Sequence, residues 1–301
     1  MTKSNILALT LLLIGCSSDV SIMKRADADT DNEETAVVDE PSSPTTEPSE
    51  PSNEPSTEMT NLTIGFGEIH FRQIACPACV GESSEFDISA QLKLHQPTSG
   101  DYLDHLTAVG TCTTSLHNTH VSSQPLVSSQ PAYFNSIPLN PAGSGTWSNL
   151  NLYEYQYERN SSYLVSTEHG NIENAFTSIE GFDTIEPYTL LWVDPSYAFD
   201  TTISKSGTMF SWSPIVANSQ FEIIVAIYSP DGTQFLGSVS CMENDVGYMQ
   251  IPGSYFQPYP SWSLAAVHLF RHRKDLVAAP EFNGWFQSHM IWEVVGTAHI
   301  E

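Results

Sequence analysis

Basic residues are scarce in this sequence. Lysine and arginine together number 10 against 35 aspartates and glutamates, so the formal charge at pH 7 is −25. A chain with this charge repels phosphate backbones, and the short basic cluster of Arg271, Arg273 and Lys274 is too small to offset the repulsion. We therefore expect no nucleic-acid partner.

The sequence also lacks the local motifs of the common enzyme classes. It contains no G-x-S-x-G, H-E-x-x-H, Walker or G-x-G-x-x-G motif, the short signatures of hydrolases, metalloproteases and nucleotide-binding enzymes. We therefore expect a non-catalytic protein with no cofactor and no metal ion. The alternative is a secreted-type hydrolase, or a carbohydrate-binding protein, whose cleft is built from long loops such as residues 122–145.

Long hydrophobic runs are confined to the amino terminus. Residues 1–5 are a short basic start, residues 6–14 are apolar, and Gly15 precedes Cys16. This layout is typical of a signal peptide. The stretch Leu13-Ile14-Gly15-Cys16 resembles the lipobox of bacterial lipoproteins.

The resemblance to bacterial lipoproteins implies that residues 1–15 are removed as a signal peptide and that Cys16 is lipidated. In that family the cysteine is diacylated and its new amino group is acylated, and three acyl chains anchor a protein stably where a single chain would not. Ser17 follows the cysteine where inner-membrane lipoproteins tend to carry aspartate. The resemblance therefore implies the outer membrane, without distinguishing its periplasmic side from the cell-surface side.

Residues 16–60 are predicted to be a disordered acidic tether. Proline, serine and glutamate recur along this segment, as in Ser49-Glu50-Pro51 and Asn53-Glu54-Pro55. Such a segment has almost nothing apolar to bury and cannot offset the entropy cost of ordering its backbone. We expect it to hold the folded part of the chain away from the membrane.

After residue 60 the sequence takes on the pattern of β-strands. Residues 85–95 alternate between apolar side chains such as Phe86 and Ile88 and polar ones, which is typical of a half-buried antiparallel strand. No helical period persists for three turns. Short strand-like runs separated by turns predict an all-β fold with two antiparallel β-sandwich domains, residues 61–205 and residues 206–301.

The second of these segments carries a resemblance of its own. Trp212 stands before Pro214, a strand-like run covers residues 221–228, and the turn Ser229-Pro230-Asp231-Gly232 follows. This pattern resembles an immunoglobulin or fibronectin type III module. The resemblance implies a two-layer β-sandwich for residues 206–301.

Four cysteines besides Cys16 are candidates for disulfides: Cys76, Cys79, Cys112 and Cys241. An even cysteine count in an exported protein favours disulfide bonds, and we expect Cys112 to pair with Cys76 or Cys79. A zinc site made from Cys76, Cys79, Cys112 and either His117 or His120 is one alternative. The other is a redox role, because the spacing of Cys76 and Cys79 resembles that of thioredoxin-like proteins.

The histidines give no clear site in the sequence. His268 and His272 share a face of one predicted strand, but at strand rise they are about 13 Å apart, too far to bind one metal ion. His70, His95 and His105 have no evident partner. We expect all five to be surface or edge histidines.

Aromatic residues are the last candidates for a site. Trp147, Tyr153, Tyr155 and Tyr157 occupy alternate positions of one predicted strand. Aromatic platforms of this kind mark contact surfaces, as in carbohydrate-binding β-sandwiches, and they also fill β-sandwich cores. We treat the four as a candidate contact surface for a glycan or an envelope protein.

Overall fold

The computed structural model describes residues 62–74, 86–98, 107–114, 124–126, 128–153, 156–157, 161–186 and 201–301. Residues 1–15, expected to be a signal peptide, Cys16 and the expected tether lie outside these ranges, as do Cys76 and Cys79. In the described part of the chain, no helix is long and apolar enough to cross a membrane.

The described residues form sixteen β-strands. Their bounds are β1 Thr63–Ile74, β2 Phe86–Thr98, β3 Thr111–Thr113, β4 Ala132–Phe134, β5 Ile137–Gly143, β6 Thr146–Leu152, β7 Ser162–Thr167, β8 Gly170–Thr177, β9 Thr184–Glu186, β10 Thr202–Ile203, β11 Gly207–Ser213, β12 Gln220–Tyr228, β13 Phe235–Asn244, β14 Tyr248–Pro252, β15 Leu264–Ala279 and β16 Gly284–Ile300. Two short 3-10 turns, Gly253–Tyr255 and Pro280–Phe282, also lie among the described residues. The expected all-β class is confirmed.

Most of the strands belong to one large sheet. Its strand order is β3-β13-β12-β15-β16-β1-β2-β6-β5-β4-β7-β8, with β10 added beside β16, and a smaller sheet has the order β14-β11-β9. β1 and β10 pair with β16 in parallel, whereas the neighbouring pairs β12–β15 and β15–β16 are antiparallel.

The expected domain boundary between residues 205 and 206 does not separate two sheets, because strands from both sides of it belong to the large sheet. β1 lies between β16 and β2, so strands from the first and the last hundred described residues are hydrogen-bonded side by side. All described residues also belong to one compact unit. Residues 61–205 and 206–301 therefore share a sheet instead of forming two separate sandwiches, because the edge of β16 that is left free by β15 is occupied by β1.

Strand alternation divides the central strands β12, β15, β16 and β1 into two faces. One, the core face, carries the buried apolar side chains Phe71, Phe221, Leu269 and Trp292. The other, the polar face, carries Glu68, His70, Glu222, His268, His272, His289 and Glu293 among apolar neighbours such as Ile224 and Phe270.

The core face is covered from two directions. The Phe176 ring of β8 packs edge-on against Phe286 at 5.8 Å, and a side chain at Gly67 would come within 2.4 Å of Phe176. From the smaller sheet, Trp212 stacks on Phe221 at 3.5 Å between ring centroids. These contacts place the main hydrophobic core on one side of the large sheet, and Glu68, His70, Glu222, His268, His272, His289 and Glu293 lie on the other side.

Candidate functional site

The register of the central strands brings the charged side chains of the polar face together. Glu68 on β1 lies directly opposite His289 on β16. His272 on β15 is a diagonal neighbour of His289, and Glu222 on β12 is a diagonal neighbour of His272. Long side chains on one sheet face reach both direct and diagonal neighbours.

These four residues form a continuous series of hydrogen-bonding contacts, which we call the buried chain. Glu68 Oε2 lies 3.2 Å from His289 Nδ1, His289 Nε2 lies 2.9 Å from His272 Nδ1, and His272 Nε2 lies 3.1 Å from Glu222 Oε2. His272, His289 and Glu222 are almost fully shielded from solvent. Buried charges are costly unless they are paired and hydrogen-bonded, and here each carboxylate has an imidazole partner.

The buried chain continues beyond Glu222 into hydroxyl groups. The Ser240 hydroxyl on β13 donates to Glu222 Oε1 at 2.6 Å, and Ser240 is also hydrogen-bonded to Thr107 at 2.5 Å. The polar contacts thus run across β1, β16, β15, β12 and β13, so the network links the middle of the sheet to the segment that precedes β3.

Burial and hydrogen bonding have opposite effects on these groups. Burial by itself raises the pKa of Glu68 and Glu222, but hydrogen bonds from His289 and His272 outweigh it, so the pKa of both carboxyl groups is lowered. Burial lowers the pKa of His272, and it lowers that of His289 to about 4. Both carboxylates are therefore ionised at neutral pH.

A second group of titratable side chains, the Glu293 cluster, is centred on one carboxylate. Glu293 Oε1 lies 2.5 Å from His268 Nδ1, and Oε2 lies 2.7 Å from His70 Nε2. The carboxylate is only 5 % exposed, whereas the His70 and His268 side chains are 26 % and 31 % exposed. Burial raises the pKa of Glu293, but the hydrogen bonds from both histidines reverse this and bring it to about 2.

The Glu293 cluster forms one wall of an open cleft. The cleft has a cavity volume of about 450 Å³, and its lining is mostly apolar. The residues that line it are His70, Ile224, Ala226, Phe235, Ser238, His268, Phe270 and Glu293. This volume falls within the range of small-molecule sites, which are typically apolar with a few placed polar groups.

The hydrogen bond to Glu293 sets the chemistry of His268. Because a carboxylate only accepts, Nδ1 of His268 carries the proton, and the neutral ring then keeps Nε2 as an unprotonated acceptor. An imidazole oriented in this way by a buried carboxylate can accept a hydrogen bond from a ligand or serve as a base. Within the described ranges, no three His, Cys, Asp or Glu side chains are arranged to hold a metal ion.

The structure corrects the expected disulfide pairing. Cys112 on β3 is bonded to Cys241 on β13, where the two cysteines are directly opposite in the strand register. The expectation that Cys112 pairs with Cys76 or Cys79 is therefore wrong, because β3 aligns on a strand 129 residues further along the chain.

Two of the four candidate contact aromatics are buried. Trp147 donates its indole N–H to the Gln130 carbonyl at 2.8 Å, and the Tyr157 hydroxyl donates to the Ile179 carbonyl at 2.7 Å. Tyr153 is 48 % exposed, and Tyr155 lies outside the described residues. Trp147 and Tyr157 are thus core residues. The four aromatic residues were expected to alternate along one strand, but β6 ends at Leu152, before the first of the three tyrosines.

The histidines also differ from expectation. His272 is buried, His70 and His268 are half-buried, and all three have carboxylate partners. His95 is buried, with Nδ1 2.6 Å from the Gln96 carbonyl oxygen. His105 lies outside the described ranges.

The sequence analysis did not single out four members of the buried chain and the Glu293 cluster: Glu68, Glu222, His289 and Glu293. A local signal was present, since His289 and Glu293 both fall on the face of β16 opposite Met290 and Trp292. Polar residues on one face of an otherwise apolar strand indicate a buried network, but the pattern does not identify which residues of other strands they contact.

Comparison with known proteins finds no family model and no curated protein that matches this chain.

Proposed function

We propose that this protein is a non-catalytic, outer-membrane-anchored lipoprotein that binds a small ligand in the cleft beside the Glu293 cluster. The observation that carries the proposal is the cleft, in which apolar walls meet two histidines oriented by one buried carboxylate. Lipid on Cys16 would attach the chain to the membrane, and the length of residues 16–60 would set how far from the membrane the cleft can lie.

The residues of the cleft favour a particular kind of ligand. Phe235 and Phe270 offer aromatic surface, and Ile224 and Ala226 extend it. Burial lowers the pKa of His70, but its close pairing with the Glu293 carboxylate outweighs this and raises the pKa overall, which favours the protonated His70 ring as a hydrogen-bond donor on this wall. A ligand with an apolar ring and an acceptor group, such as an aromatic carboxylate or a sugar with one apolar face, complements both features.

Binding by the full chain in detergent tests the proposal. Calorimetric titration with phenylacetate, together with a glycan array, provides probes of the two ligand kinds. We expect Phe235→Ala and His268→Gln to lose binding, and Tyr153→Ser, which changes an exposed aromatic residue outside the cleft, to retain it. Loss in Tyr153→Ser with retention in the cleft variants would assign binding to the surface around Tyr153 instead, and absence of binding to every probe would refute the proposal.

A second candidate is a hydrolase, and the Glu293–His268 pair is the observation that favours it. A carboxylate that orients an imidazole is the acid–base part of many hydrolytic sites. In the described residues, however, no serine, threonine or cysteine is hydrogen-bonded to His268. Turnover of chromogenic esters or glycosides that is abolished in both His268→Gln and Glu293→Gln would establish this candidate over simple binding.

A further inference from the structure

The contact between His272 and His289 lies outside the cleft and has an unusual geometry. His272 Nδ1 and His289 Nε2 are 2.9 Å apart, the ring centroids are 5.1 Å apart, and the ring planes differ by 25°. When two imidazole nitrogens are 2.9 Å apart, the ring centroids are farthest apart if the nitrogens point directly at each other. The observed centroid separation of 5.1 Å is close to that maximum. The two nitrogens therefore point at each other in nearly one plane, and the rings do not lie one above the other.

The remaining nitrogen of each ring faces a carboxylate. His272 Nε2 is 3.1 Å from Glu222 Oε2, and His289 Nδ1 is 3.2 Å from Glu68 Oε2. An ionised carboxylate only accepts hydrogen bonds, so both of these outer nitrogens carry protons. If each ring is neutral, both inner nitrogens are left with lone pairs that point at each other.

A count of protons resolves this conflict. The three contacts from Glu68 to Glu222 need one proton each, and two neutral imidazoles supply only two. We infer that His272 and His289 bind a third proton between their facing nitrogens, so that the buried chain is a proton-binding site with an imidazole–imidazolium pair held between two carboxylates. With this proton bound, the four residues carry a net charge of −1.

The charged groups around the pair determine when the site fills. Glu222 on β12 and Glu68 on β1 favour the bound proton, whereas burial and the Lys274 ammonium on β15 oppose it. His70 on β1 acts on Glu68, and Glu293 on β16 is occupied by its own two histidines. Burial is the largest effect, and it lowers the pKa of both rings below the ordinary histidine value.

The site therefore fills as the pH falls and empties as the pH rises. The arrangement with 2.9 Å between the nitrogens is the proton-bound form. Once the proton has left, the facing lone pairs repel each other and the contact opens. The buried chain thus responds to acidification by closing a contact between β15 and β16, in the middle of the large sheet.

Nuclear magnetic resonance of the full chain in detergent, with ¹⁵N-labelled histidine, tests this inference between pH 3.5 and 8. We expect His272 Nε2 and His289 Nδ1 to stay protonated throughout, and the two inner nitrogens to change together with the uptake of one proton per pair. Uptake of two protons by independently titrating rings would overturn the inference, and so would inner nitrogens that do not change. A stoichiometric metal ion found in the purified protein by elemental analysis would also overturn it.

Two matched variants test the same point without removing a member of the chain. Lys274→Met removes the cation that opposes the bound proton, so the pH at which the inner nitrogens titrate should rise. Arg273→Met removes the neighbouring cation, which lies on the opposite face of β15 and pairs with Asp275, and should leave that pH unchanged. Equal shifts in both variants, or no shift in Lys274→Met, would contradict the assignment.

Discussion

Arg271 and Asp245 form an ion pair from which solvent is completely excluded. Arg271 Nε donates to Asp245 Oδ2 at 2.8 Å, and both side chains have no exposed surface. Three further guanidinium N–H groups donate to the carbonyls of Glu180 at 2.8 Å, Gly181 at 2.6 Å and Pro214. The pair therefore joins β15 to three segments that cover the core face.

Replacement of Arg271 by methionine should destabilise the protein severely. Removing one partner of a buried pair leaves an uncompensated charge on Asp245 and unsatisfied carbonyls, which typically costs about 3–5 kcal/mol. Arg273→Met is the matched control, because its pair with Asp275 is partly exposed and such pairs contribute less than about 1 kcal/mol. Urea denaturation measures both variants, and similar losses in the two would contradict the role assigned to Arg271.

The disulfide between Cys112 and Cys241 should be a major source of stability. It closes a loop with a sequence separation of 129 residues, for which the loop-entropy model gives about 5 kcal/mol. We expect the double variant Cys112→Ala, Cys241→Ala to unfold at a much lower urea concentration. Non-reducing peptide mapping should show this linkage unchanged in the control Cys76→Ser, Cys79→Ser, and a peptide joining Cys112 to Cys76 or Cys79 would refute it.

The Glu293 cluster should make stability depend on pH in two directions. The folded-state pKa of Glu293 is lowered from 4.5 to about 2, so its contribution is complete above pH 4.5 and is lost as the pH falls towards 2. The pKa of His70 is raised above 6.5, so its contribution is complete below pH 6.5 and is lost as the pH rises through the folded-state value. The stabilisation is therefore largest between pH 4.5 and 6.5.

Comparison of the wild type with Glu293→Gln isolates this contribution. The lowered pKa of Glu293 corresponds to roughly 3 kcal/mol, so the variant should be less stable by about this amount near pH 5.5, and the difference should shrink towards pH 2 and above pH 7. Denaturant titrations across this range measure it, with the exposed Glu186→Gln as the charge control. A difference that is constant with pH would show that the loss comes from packing and not from ionisation.

Lipidation of Cys16 remains a prediction from the amino-terminal sequence. Cells that express the wild type should incorporate a palmitate analogue into the protein, and Cys16→Ala should abolish the labelling and release the chain from the membrane fraction. Cys76→Ser is the control that retains both. Equal labelling of the wild type and Cys16→Ala would remove the anchor from the proposed function.

Local features of the fold were readable from the sequence because strands and turns are encoded by short-range patterns. The alternation over residues 85–95 corresponds to β2. The turn Ser229-Pro230-Asp231-Gly232 joins β12 to β13, and the Gly232 N–H donates to the Ser229 carbonyl at 2.7 Å. Each of these features depends on neighbouring residues alone.

Partners across the sheet were not readable in this way. Glu68 and His289 are 221 residues apart, and they meet only because β1 pairs in parallel with β16. Strand alternation states which face a residue occupies but not which strand lies alongside. The histidines were therefore expected at the surface, where a lone histidine needs no partner, although His272 lies in the buried chain and His70 and His268 pair with Glu293.

The sequence by itself determined that the chain is rich in strands, strongly acidic and led by a lipobox-like segment, because composition, periodicity and short motifs are local properties. Only the tertiary structure decided which strands share the large sheet, that Cys112 meets Cys241, and that Glu68, Glu222, His272, His289 and Glu293 collect on one face. Those outcomes depend on hydrogen bonds between strand edges that are far apart along the chain, and no local pattern specifies which edges will pair.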